Sequence, residues 1–269
     1  MSVPDFLIVG AMKAGTTTLY QDLIRHPDVF MPEHKEPKTL VRFGDRAAAL
    51  REYKVLFPGS ADRMIKGEAS TAYTKRPDFE DIAECAHAVI GAGLRIVYMR
   101  RDPVERIVSH YKHWVQRKKI DAPIGQALRD HPELIDYSRY DWQIEPWKRR
   151  FGEGAVLEID LADYAANRIS VVEKVLAHIG ADPARLPPLE VTFVANSARE
   201  MKHIDNKLLD SFIRSRFYGR RVKPLIPRSW REWARRTFLP KPAEIDVRLT
   251  DADLAFIASR LESTTEPAA

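Results

Sequence analysis

The sequence predicts an α/β protein, a single domain in which helices flank a central parallel β-sheet. One continuous apolar run, Phe6–Val9, leads directly into a glycine-rich turn, and a helical pattern over 18–24 follows it. Two more apolar runs, Leu94–Met99 and Ala155–Ile159, each precede a helical pattern. Continuous apolar runs are typical of strands buried on both faces. Strands that alternate with helices favour a parallel sheet covered on both sides.

The helices are placed by the spacing of their apolar residues. This spacing predicts helices over 18–24, 104–118 and 170–179. The last of these has one apolar face, made of Val171, Val172, Val175, Leu176 and Ile179. Gly180 follows at the position where helices often end in a left-handed residue.

Length and composition are those of a globular domain. The chain has 269 residues, of which 45% are hydrophobic and 30% charged, and we expect one domain over 1–262 with a frayed tail at 263–269. The single cysteine, Cys85, excludes an internal disulfide and fits a reducing compartment. No leader-like segment precedes the first strand, and no apolar run approaches about 18 residues. These features predict a cytoplasmic protein without a membrane span.

The turn after the first strand has the GxxxxG spacing of a phosphate-binding loop, with glycines at Gly10 and Gly15. Backbone N–H groups of such a turn, leading into a helix, form an anion site. The spacing alone also fits a chance glycine turn. The lysine that follows the second glycine in NTPases is missing, and Lys13 lies inside the loop instead. The loop predicts a P-loop NTPase-like fold without the lysine and the Mg²⁺ ligand that a nucleoside triphosphate requires.

The longer string is more specific than the glycines. GAMKAGTTTLY, together with HPDVFMPEHKEPK at 26–38, resembles the 5′-phosphosulfate-binding region of sulfotransferases that use 3′-phosphoadenosine-5′-phosphosulfate (PAPS). It is most similar to the heparan sulfate sulfotransferases and their bacterial relatives. The resemblance implies that PAPS is bound by Lys13, Ala14, Gly15, Thr16, Thr17 and Thr18. It also implies that Lys13 contacts the 5′-phosphate and the bridging oxygen, where its charge stabilises the leaving phosphate.

A second motif lies about 85 residues further on, in RIVYMRRDPVERIVSHY at 95–111. It resembles the 3′-phosphate-binding region of the same family, which implies that Arg101 and Ser109 bind the 3′-phosphate of PAPS. Arg101 follows a predicted parallel strand, where α/β folds place ligands, and its guanidinium suits a phosphate. The alternative is that Arg101 pairs with a surface acid and Ser109 is an ordinary helix residue. We expect Arg106 to make a structural ion pair.

Transfer to a hydroxyl or amine needs a group that accepts the proton of the acceptor. The segment around Glu68 resembles the Glu-x-Ser segment of the family, which implies that Glu68 is the general base. A solvated surface carboxylate is the alternative reading of Glu68. His110 and His113, just past Ser109, are the other candidates, and at most one of them is expected to face the site. No set of histidines, cysteines and carboxylates has metal-ligand spacing, so we expect no metal.

The resemblance also concerns Lys35 and a loop late in the chain. Lys35 matches a family lysine near the transferred sulfo group, which implies binding of the sulfo group or of an anionic acceptor; a surface lysine is the alternative. The family also closes a loop, often containing Lys-Gly-Arg, over the nucleotide. This chain has Asn196–Lys202 at that place without the Lys-Gly-Arg string. Arg199 or Lys202 is expected to take its role, and Arg199 is our choice.

Positive charge is concentrated in the segment 214–241. It holds ten lysines and arginines and one acid, while the whole chain has a net charge of +5. Such local basicity favours a local anionic partner over nucleic acid. The segment could recruit an anionic acceptor, lie on a membrane surface, or pack its tryptophans on the domain with its arginines in solvent. The sequence leaves these three readings open.

Together these motifs predict an enzyme, a PAPS-dependent sulfotransferase. Its acceptor would be a hydroxyl or amine of a carbohydrate, a glycolipid or a secondary metabolite. Two other functions stay open at this point. One is a Mg²⁺- and ATP-dependent P-loop phosphotransferase, against which the displaced Lys13 argues. The other is a non-catalytic module that binds an anionic ligand through 214–241.

Overall fold

Five parallel strands form the sheet in the computed structural model, which describes residues 3–43, 45–59, 64–189 and 245–262. The strand order is β2-β3-β1-β4-β5. The bounds are β1 Phe6–Gly10, β2 Val29–Phe30, β3 Ile65–Ala69, β4 Arg95–Arg100 and β5 Val156–Asp160. Every residue of β1 is buried, as its continuous apolar run predicts, and it pairs with β3 on one side and β4 on the other. The predicted α/β class with a parallel sheet is confirmed.

Helices cover the strands and connect them. They are α1 Thr16–Leu23, α2 Thr39–Arg42, α3 Arg46–Leu56, α4 Ile82–Ile90, α5 Pro103–Gln116, α6 Ile124–Asp130, α7 Glu133–Asp136, α8 Tyr140–Phe151, α9 Leu161–Ala166, α10 Arg168–Ile179 and α11 Asp251–Glu262. Short 3₁₀ turns lie at Thr71–Thr74, Glu153–Ala155 and Pro183–Arg185. The segment 214–241, the tail 263–269 and the residues Arg199 and Lys202 lie outside the described residues.

All three predicted helices begin one or two residues earlier than the apolar spacing indicates, at Thr16, Pro103 and Arg168. Helix α1 begins at Thr16, directly after Gly15, whose φ of 87° is in the left-handed region that glycine tolerates. Helix α5 begins at Pro103, where proline has no N–H to leave unpaired. The Asp102 side chain accepts a hydrogen bond from the Glu105 N–H (2.9 Å) and caps this helix. A glycine sets the start of α1, and a proline with a capping aspartate sets the start of α5. Apolar periodicity detects neither signal.

The apolar interior has two parts. The larger surrounds the sheet, and the smaller lies between α5, α6, α7 and α11. Helix α11 contributes Ile257, which is buried in the smaller part. Its start is fixed by reciprocal bonds, since the Asp253 carboxylate accepts from the Thr250 N–H (3.1 Å) and the Asp253 N–H donates to the Thr250 hydroxyl (3.2 Å). Helix α5 packs its apolar residues into the smaller part, and it follows Arg101, which contacts the glycine-rich loop.

Candidate active site

The loop between β1 and α1 has the geometry expected of an anion site. Gly15 precedes α1, and no side chain caps the first turn of this helix, so backbone donors there remain available to a ligand. Thr16 and Thr18 are buried and Thr17 is half-buried. A side chain at Gly10 would collide with the Thr74 hydroxyl, which explains why glycine is required at the end of β1.

Lys13 lies within this loop with a φ of 70°, which is unusual for a residue other than glycine. Burial, together with the charges of Arg101, Arg117 and Arg106, lowers the pKa of the Lys13 ammonium to about 8. A lysine held among arginines loses its proton more easily because the positive charges repel one another. A bound anion would relieve this repulsion, so the electrostatics fit a phosphate ligand.

Arg101 brings the second motif to the same place. It follows β4, and its Nη1 lies 3.5 Å from the carbonyl oxygen of Lys13. The same guanidinium also donates to Glu105 from Nε (3.0 Å) and Nη2 (2.9 Å). Ser109 is half-buried, two turns further along α5. The two motifs that resemble the 5′- and 3′-phosphate regions are therefore joined at the carboxyl end of the sheet.

Arg106 differs from the prediction of a structural ion pair. Its side chain is fully buried, and it donates to the Ser138 hydroxyl and the Leu134 carbonyl, with Nη1 3.5 Å from His110 Nδ1. Within the described ranges, no carboxylate forms an ion pair with it. Burial lowers its pKa to about 10. Arg106 thus adds an uncompensated positive charge behind Lys13.

Glu68 is fully buried in the structure. Its carboxylate accepts hydrogen bonds from the hydroxyls of Tyr53 (2.9 Å), Ser70 (2.7 Å) and Tyr73. Burial raises the pKa of Glu68, and these hydrogen bonds oppose the rise. The surface-carboxylate reading of Glu68 is wrong. Its role as general base stays a prediction; in this structure the Glu68 carboxylate is enclosed and all three of these hydroxyls donate to it.

A second carboxylate, Glu36, was missed by the sequence analysis. Its side chain is 30% exposed, and it accepts from the Thr71 N–H (3.1 Å) and the Thr71 hydroxyl (3.0 Å). Lys35 Nζ lies 3.2 Å from Glu36 Oε1 and 3.3 Å from Thr16 Oγ1. One ammonium group therefore links Glu36 to the phosphate loop. The acid directly after Lys35 in HKEPK is the signal that could have pointed to it.

The positive charge of Lys13 contributes to lowering the pKa of both histidines of α5, His110 and His113. Burial strongly lowers the pKa of His110, and the charges of Arg106 and Lys75 add to the effect. Burial, Lys13 and Arg117 lower the pKa of His113 to about 4. Lys13 contributes to both shifts, but the His110 side chain is fully buried and only His113 is half-buried. The expectation that at most one of them faces the site stays a prediction. Both imidazoles are neutral near pH 7.

Comparison with known proteins agrees with this geometry. The sulfotransferase domain family model matches residues 3–203. Among curated proteins, the chain is 29% identical over 167 residues to mouse heparan sulfate glucosamine 3-O-sulfotransferase 3B1, covering 58% of this chain and 40% of that protein. It is 26% identical over 185 residues to mouse carbohydrate sulfotransferase 15, covering 53% and 33%. The chain thus spans less than half the length of these relatives.

Solved structures show the same architecture. A sulfotransferase from Alicyclobacillus acidocaldarius aligns with a TM-score of 0.61 at 24% identity, covering 86% of this chain and all of that one. A sulfotransferase domain from the curacin biosynthetic pathway aligns with a TM-score of 0.51 at 14% identity, covering 70% and 76%. At these identities the likeness concerns the fold. The family model matches residues 3–203, which is most of the chain, so the chain belongs to the sulfotransferase family.

Two features are absent from the described residues. No helix there combines the length and the apolar character that crossing a bilayer requires. Nor does that part of the chain contain a group of three or more histidines, cysteines and carboxylates arranged to hold a metal ion.

Proposed function

We propose that this protein transfers the sulfo group of PAPS to a hydroxyl or amine of an acceptor, a carbohydrate, glycolipid or secondary metabolite. The observation that carries the proposal is the meeting of Lys13 and Arg101 at one end of the sheet. Two cationic side chains from separate motifs suit a nucleotide with phosphates at both its 5′ and 3′ positions. A lysine within the loop, beside a developing negative charge, suits a leaving phosphate.

In this proposal PAPS is held by residues of both motifs. The loop residues Lys13, Ala14, Gly15, Thr16, Thr17 and Thr18 bind the 5′ end, and Arg101 with Ser109 binds the 3′-phosphate. Arg101 keeps its bond to Glu105 until the ligand arrives, and an exposed pair of this kind is worth about 0–1 kcal/mol. A phosphate can therefore compete for the guanidinium. Arg199 remains our choice for the residue that closes over the nucleotide.

PAPS supplies the reactive sulfo group, and the protein supplies charge and position. Lys13 stabilises the 5′-phosphate as it departs. Lys35, between Thr16 and Glu36, is placed to bind the sulfo group or an anionic acceptor. A carboxylate takes the proton of the acceptor, which typically contributes about 10²- to 10⁴-fold to the rate.

Two carboxylates compete for the role of base. The resemblance assigns it to Glu68, while exposure and proximity to the phosphate loop support Glu36. We favour Glu36, because a base must reach the proton that it removes. Glu68 then serves the site indirectly, through the hydroxyls of Ser70 and Tyr73.

The test is a transfer assay with ³⁵S-labelled PAPS and a panel of glycan and alcohol acceptors, with and without EDTA. We expect label in an acceptor and no effect of EDTA. Phosphate transfer from ATP that EDTA abolishes would support the phosphotransferase instead. Nucleotide or glycan binding without any transfer would support a non-catalytic module.

The same assay separates the two carboxylates. Glu36→Gln should lower kcat at least about 100-fold while the affinity for the product PAP, measured by calorimetry, stays unchanged. Glu68→Gln keeps an acceptor for the surrounding hydroxyls and should lower kcat less. A folded Glu36→Gln variant with full turnover would exclude Glu36, and a folded Glu68→Gln variant with none would return the role to Glu68.

A further inference from the structure

Helix α9 packs against the glycine that precedes α1. It begins at Leu161, directly after β5. A side chain at Gly15 would place its Cβ 2.6 Å from Leu161 Cδ1 and 3.4 Å from Met99 Cε. These two side chains therefore limit where the backbone of the phosphate loop can lie. The proposed chemistry assigns no role to α9 or to α10, which follows it.

The other end of α1 is held by three hydrogen bonds to the Asp22 carboxylate. The Arg168 guanidinium donates from Nη2 to Oδ1 (2.7 Å) and from Nε to Oδ2 (2.9 Å), and the Tyr164 hydroxyl donates to Oδ2. Tyr164 lies on α9 and Arg168 is the first residue of α10. All three side chains are buried. Helices α9 and α10 thus contact α1 at both ends, by packing at Gly15 and by hydrogen bonds at Asp22.

Helix electrostatics do not explain the ion pair between Asp22 and Arg168. Asp22 lies in the last turn of α1, where free carbonyl groups repel a carboxylate, and Arg168 lies in the first turn of α10, where N–H groups repel a cation. A buried ion pair is also often no more stabilising than apolar side chains of similar size, because both charges lose their hydration. What the pair does provide is geometry, since a bidentate contact fixes both the distance and the angle between its partners.

Helix α1 is short enough to transmit this geometry to the phosphate loop. It has eight residues, which correspond to a length of about 12 Å. Its first turn is bonded back to the loop, since the Thr18 N–H donates to the Gly15 carbonyl (2.9 Å). A rotation of the helix at Asp22 therefore also moves the N–H groups that are proposed to bind the 5′ end of PAPS. A displacement of about 1 Å at a reacting group can lower a rate about 100-fold.

We propose that Asp22 is a positioning residue for the phosphate loop and acts through Arg168 and Tyr164, which fix the orientation of α1 toward the 5′ end of the nucleotide. This inference rests on the proposed function, because it names further residues that the same site requires. The three side chains are buried and bonded to one another, so they act through α1 and not on the nucleotide itself. Their loss should weaken nucleotide binding and slow transfer even where the protein remains equally stable.

The first experiment separates positioning from stability. A triple variant, Asp22→Leu with Tyr164→Phe and Arg168→Met, makes the cluster apolar and leaves no buried polar group without a partner. Replacements of this kind often keep or raise stability, so we expect no loss of stability in urea unfolding. Calorimetry should nevertheless show at least about tenfold weaker binding of PAP. A folded triple variant that binds PAP as tightly as the unmodified protein would overturn the proposal.

The matched control removes an ion pair in the smaller core. Asp253→Ala loses the contact to Arg129 (3.5 Å) and the hydrogen bond from the Thr250 N–H (3.1 Å). It should lower stability and leave both kcat and the affinity for PAP unchanged. The control and the triple variant thus move stability and nucleotide affinity in opposite combinations, which a purely structural role of Asp22 does not predict.

Arg168→Lys provides a milder variant should the triple one fail to fold. It keeps the positive charge and loses the bidentate contact. We expect PAP to bind at least about threefold more weakly and kcat for transfer from labelled PAPS to fall. Affinity and kcat equal to those of the unmodified protein would contradict a positioning role, because charge alone would then be sufficient.

A last measurement does not depend on the nucleotide. Hydrogen–deuterium exchange read by mass spectrometry follows the backbone of 11–20 and, for comparison, of α6 in the free protein. Exchange over 11–20 should be at least about threefold faster in Arg168→Lys and in the triple variant, with α6 unchanged, while Asp253→Ala shows the reverse. If the unmodified protein binds no PAP, the proposed function fails, and exchange over 11–20 still decides whether Asp22 positions the loop. Unchanged exchange there would overturn the inference.

Discussion

Lys13 shows how a single residue connects loop geometry to chemistry. Its backbone takes a left-handed conformation and its ammonium lies among three arginines. The position therefore has a cost in both backbone energy and charge repulsion. Such a cost is characteristic of functional sites, where the ligand compensates what the free protein lacks.

The pKa of Lys13 gives a pH dependence with a definite sign. Below about pH 8 the ammonium form is present, and above it the proton is lost. We expect the affinity for PAP to decline as pH rises through 8, approaching about tenfold per unit. Calorimetric titration with PAP at pH 7, 8 and 9 measures this. The dependence should vanish in Lys13→Met and persist in Lys75→Gln; an unchanged slope in Lys13→Met would refute the assignment.

Arg101 gives a prediction about specificity. Arg101→Ala should reduce the preference for PAP over AMP at least about tenfold, because a charge-assisted hydrogen bond to the 3′-phosphate is worth about 1.5–3 kcal/mol. Competition binding of the two nucleotides measures the ratio. Glu105→Gln, which removes the present partner of Arg101, serves as the control and should keep or increase the preference. An unchanged ratio in Arg101→Ala would show that this guanidinium does not read the 3′-phosphate.

The sequence predicts these residues unequally, for a physical reason. Lys13 and Arg101 lie in short continuous motifs in which spacing along the chain fixes spacing in the fold. The position of the Glu36 side chain depends on its backbone φ of 65° and on hydrogen bonds to Thr71, 35 residues away. Neither feature produces a pattern that can be recognised in a single sequence. Glu68 has the motif of a functional residue, yet its burial arises from side chains of α3 and the turn after β3.

At the scale of elements, the segment 36–40 is held by the end of β3. The backbone N–H of Glu36 donates to the Ala69 carbonyl (3.0 Å). The N–H of Lys38 donates to the Ser70 hydroxyl (3.0 Å), and the N–H of Leu40 donates to the Tyr73 hydroxyl (3.1 Å). The hydroxyls of Ser70 and Tyr73 in turn donate to Glu68. The buried carboxylate is the common acceptor that orients these two hydroxyls toward the segment that carries Glu36.

Tyr73→Phe tests this arrangement. The change leaves the Leu40 N–H without its partner and removes one donor to Glu68, which should cost about 1–3 kcal/mol of stability. Because Glu36 loses its support, we expect kcat to fall at least about tenfold while the affinity for PAP stays the same. Urea unfolding and the transfer assay measure the two effects.

Tyr111→Phe is the matched control, since it also removes one tyrosine hydrogen bond, to the Ala122 carbonyl (2.8 Å), in the smaller core. It should lower stability and leave kcat unchanged. If Tyr73→Phe behaves like Tyr111→Phe, the segment 36–40 does not depend on β3 for its catalytic geometry.

Elements with a strong apolar signature were predicted well. Strands β1, β4 and β5 and helix α10 lie within a residue or two of their predicted bounds, because burial on the sheet imposes a clear pattern. Strand β2 has two residues, too few to show a pattern. The first turn of α1 is polar. The start of this helix is therefore set by Gly15 and not by apolar packing.

At the scale of the whole molecule, buried polar groups lie between the two apolar cores. Arg106 and His110 are both fully buried on α5. The His110 ring stacks on Tyr137 at 5.6 Å and meets Trp114 edge-on at 4.4 Å. Charged and imidazole groups at such a boundary tie global stability to solution pH. The sequence could not place them there, because neither core boundary nor strand order is visible in one sequence.

His110 therefore predicts how stability changes with pH. Its pKa in the folded protein is strongly lowered, so below its ordinary value of 6.5 the unfolded chain binds a proton that the folded one does not. Stability should fall as pH decreases below 6.5, by up to about 1.4 kcal/mol per unit from this residue. Urea unfolding at pH 7.5, 6.5 and 5.5 measures it. The slope should be shallower in His110→Asn, and an identical slope would contradict the prediction.

The close contact between Gly10 and Thr74 has a consequence for how the binding of one ligand affects the binding of another. The Thr74 hydroxyl fills the space that a side chain at Gly10 would need, and it donates to the Val9 carbonyl (2.8 Å). The turn that carries Thr74 also holds Glu36 through Thr71 and leads into Lys75. Under the proposed function, the nucleotide and the acceptor would bind to two segments that are in direct contact. Occupancy of one should raise the affinity for the other, and thermodynamic linkage requires the enhancement to be the same factor in both directions.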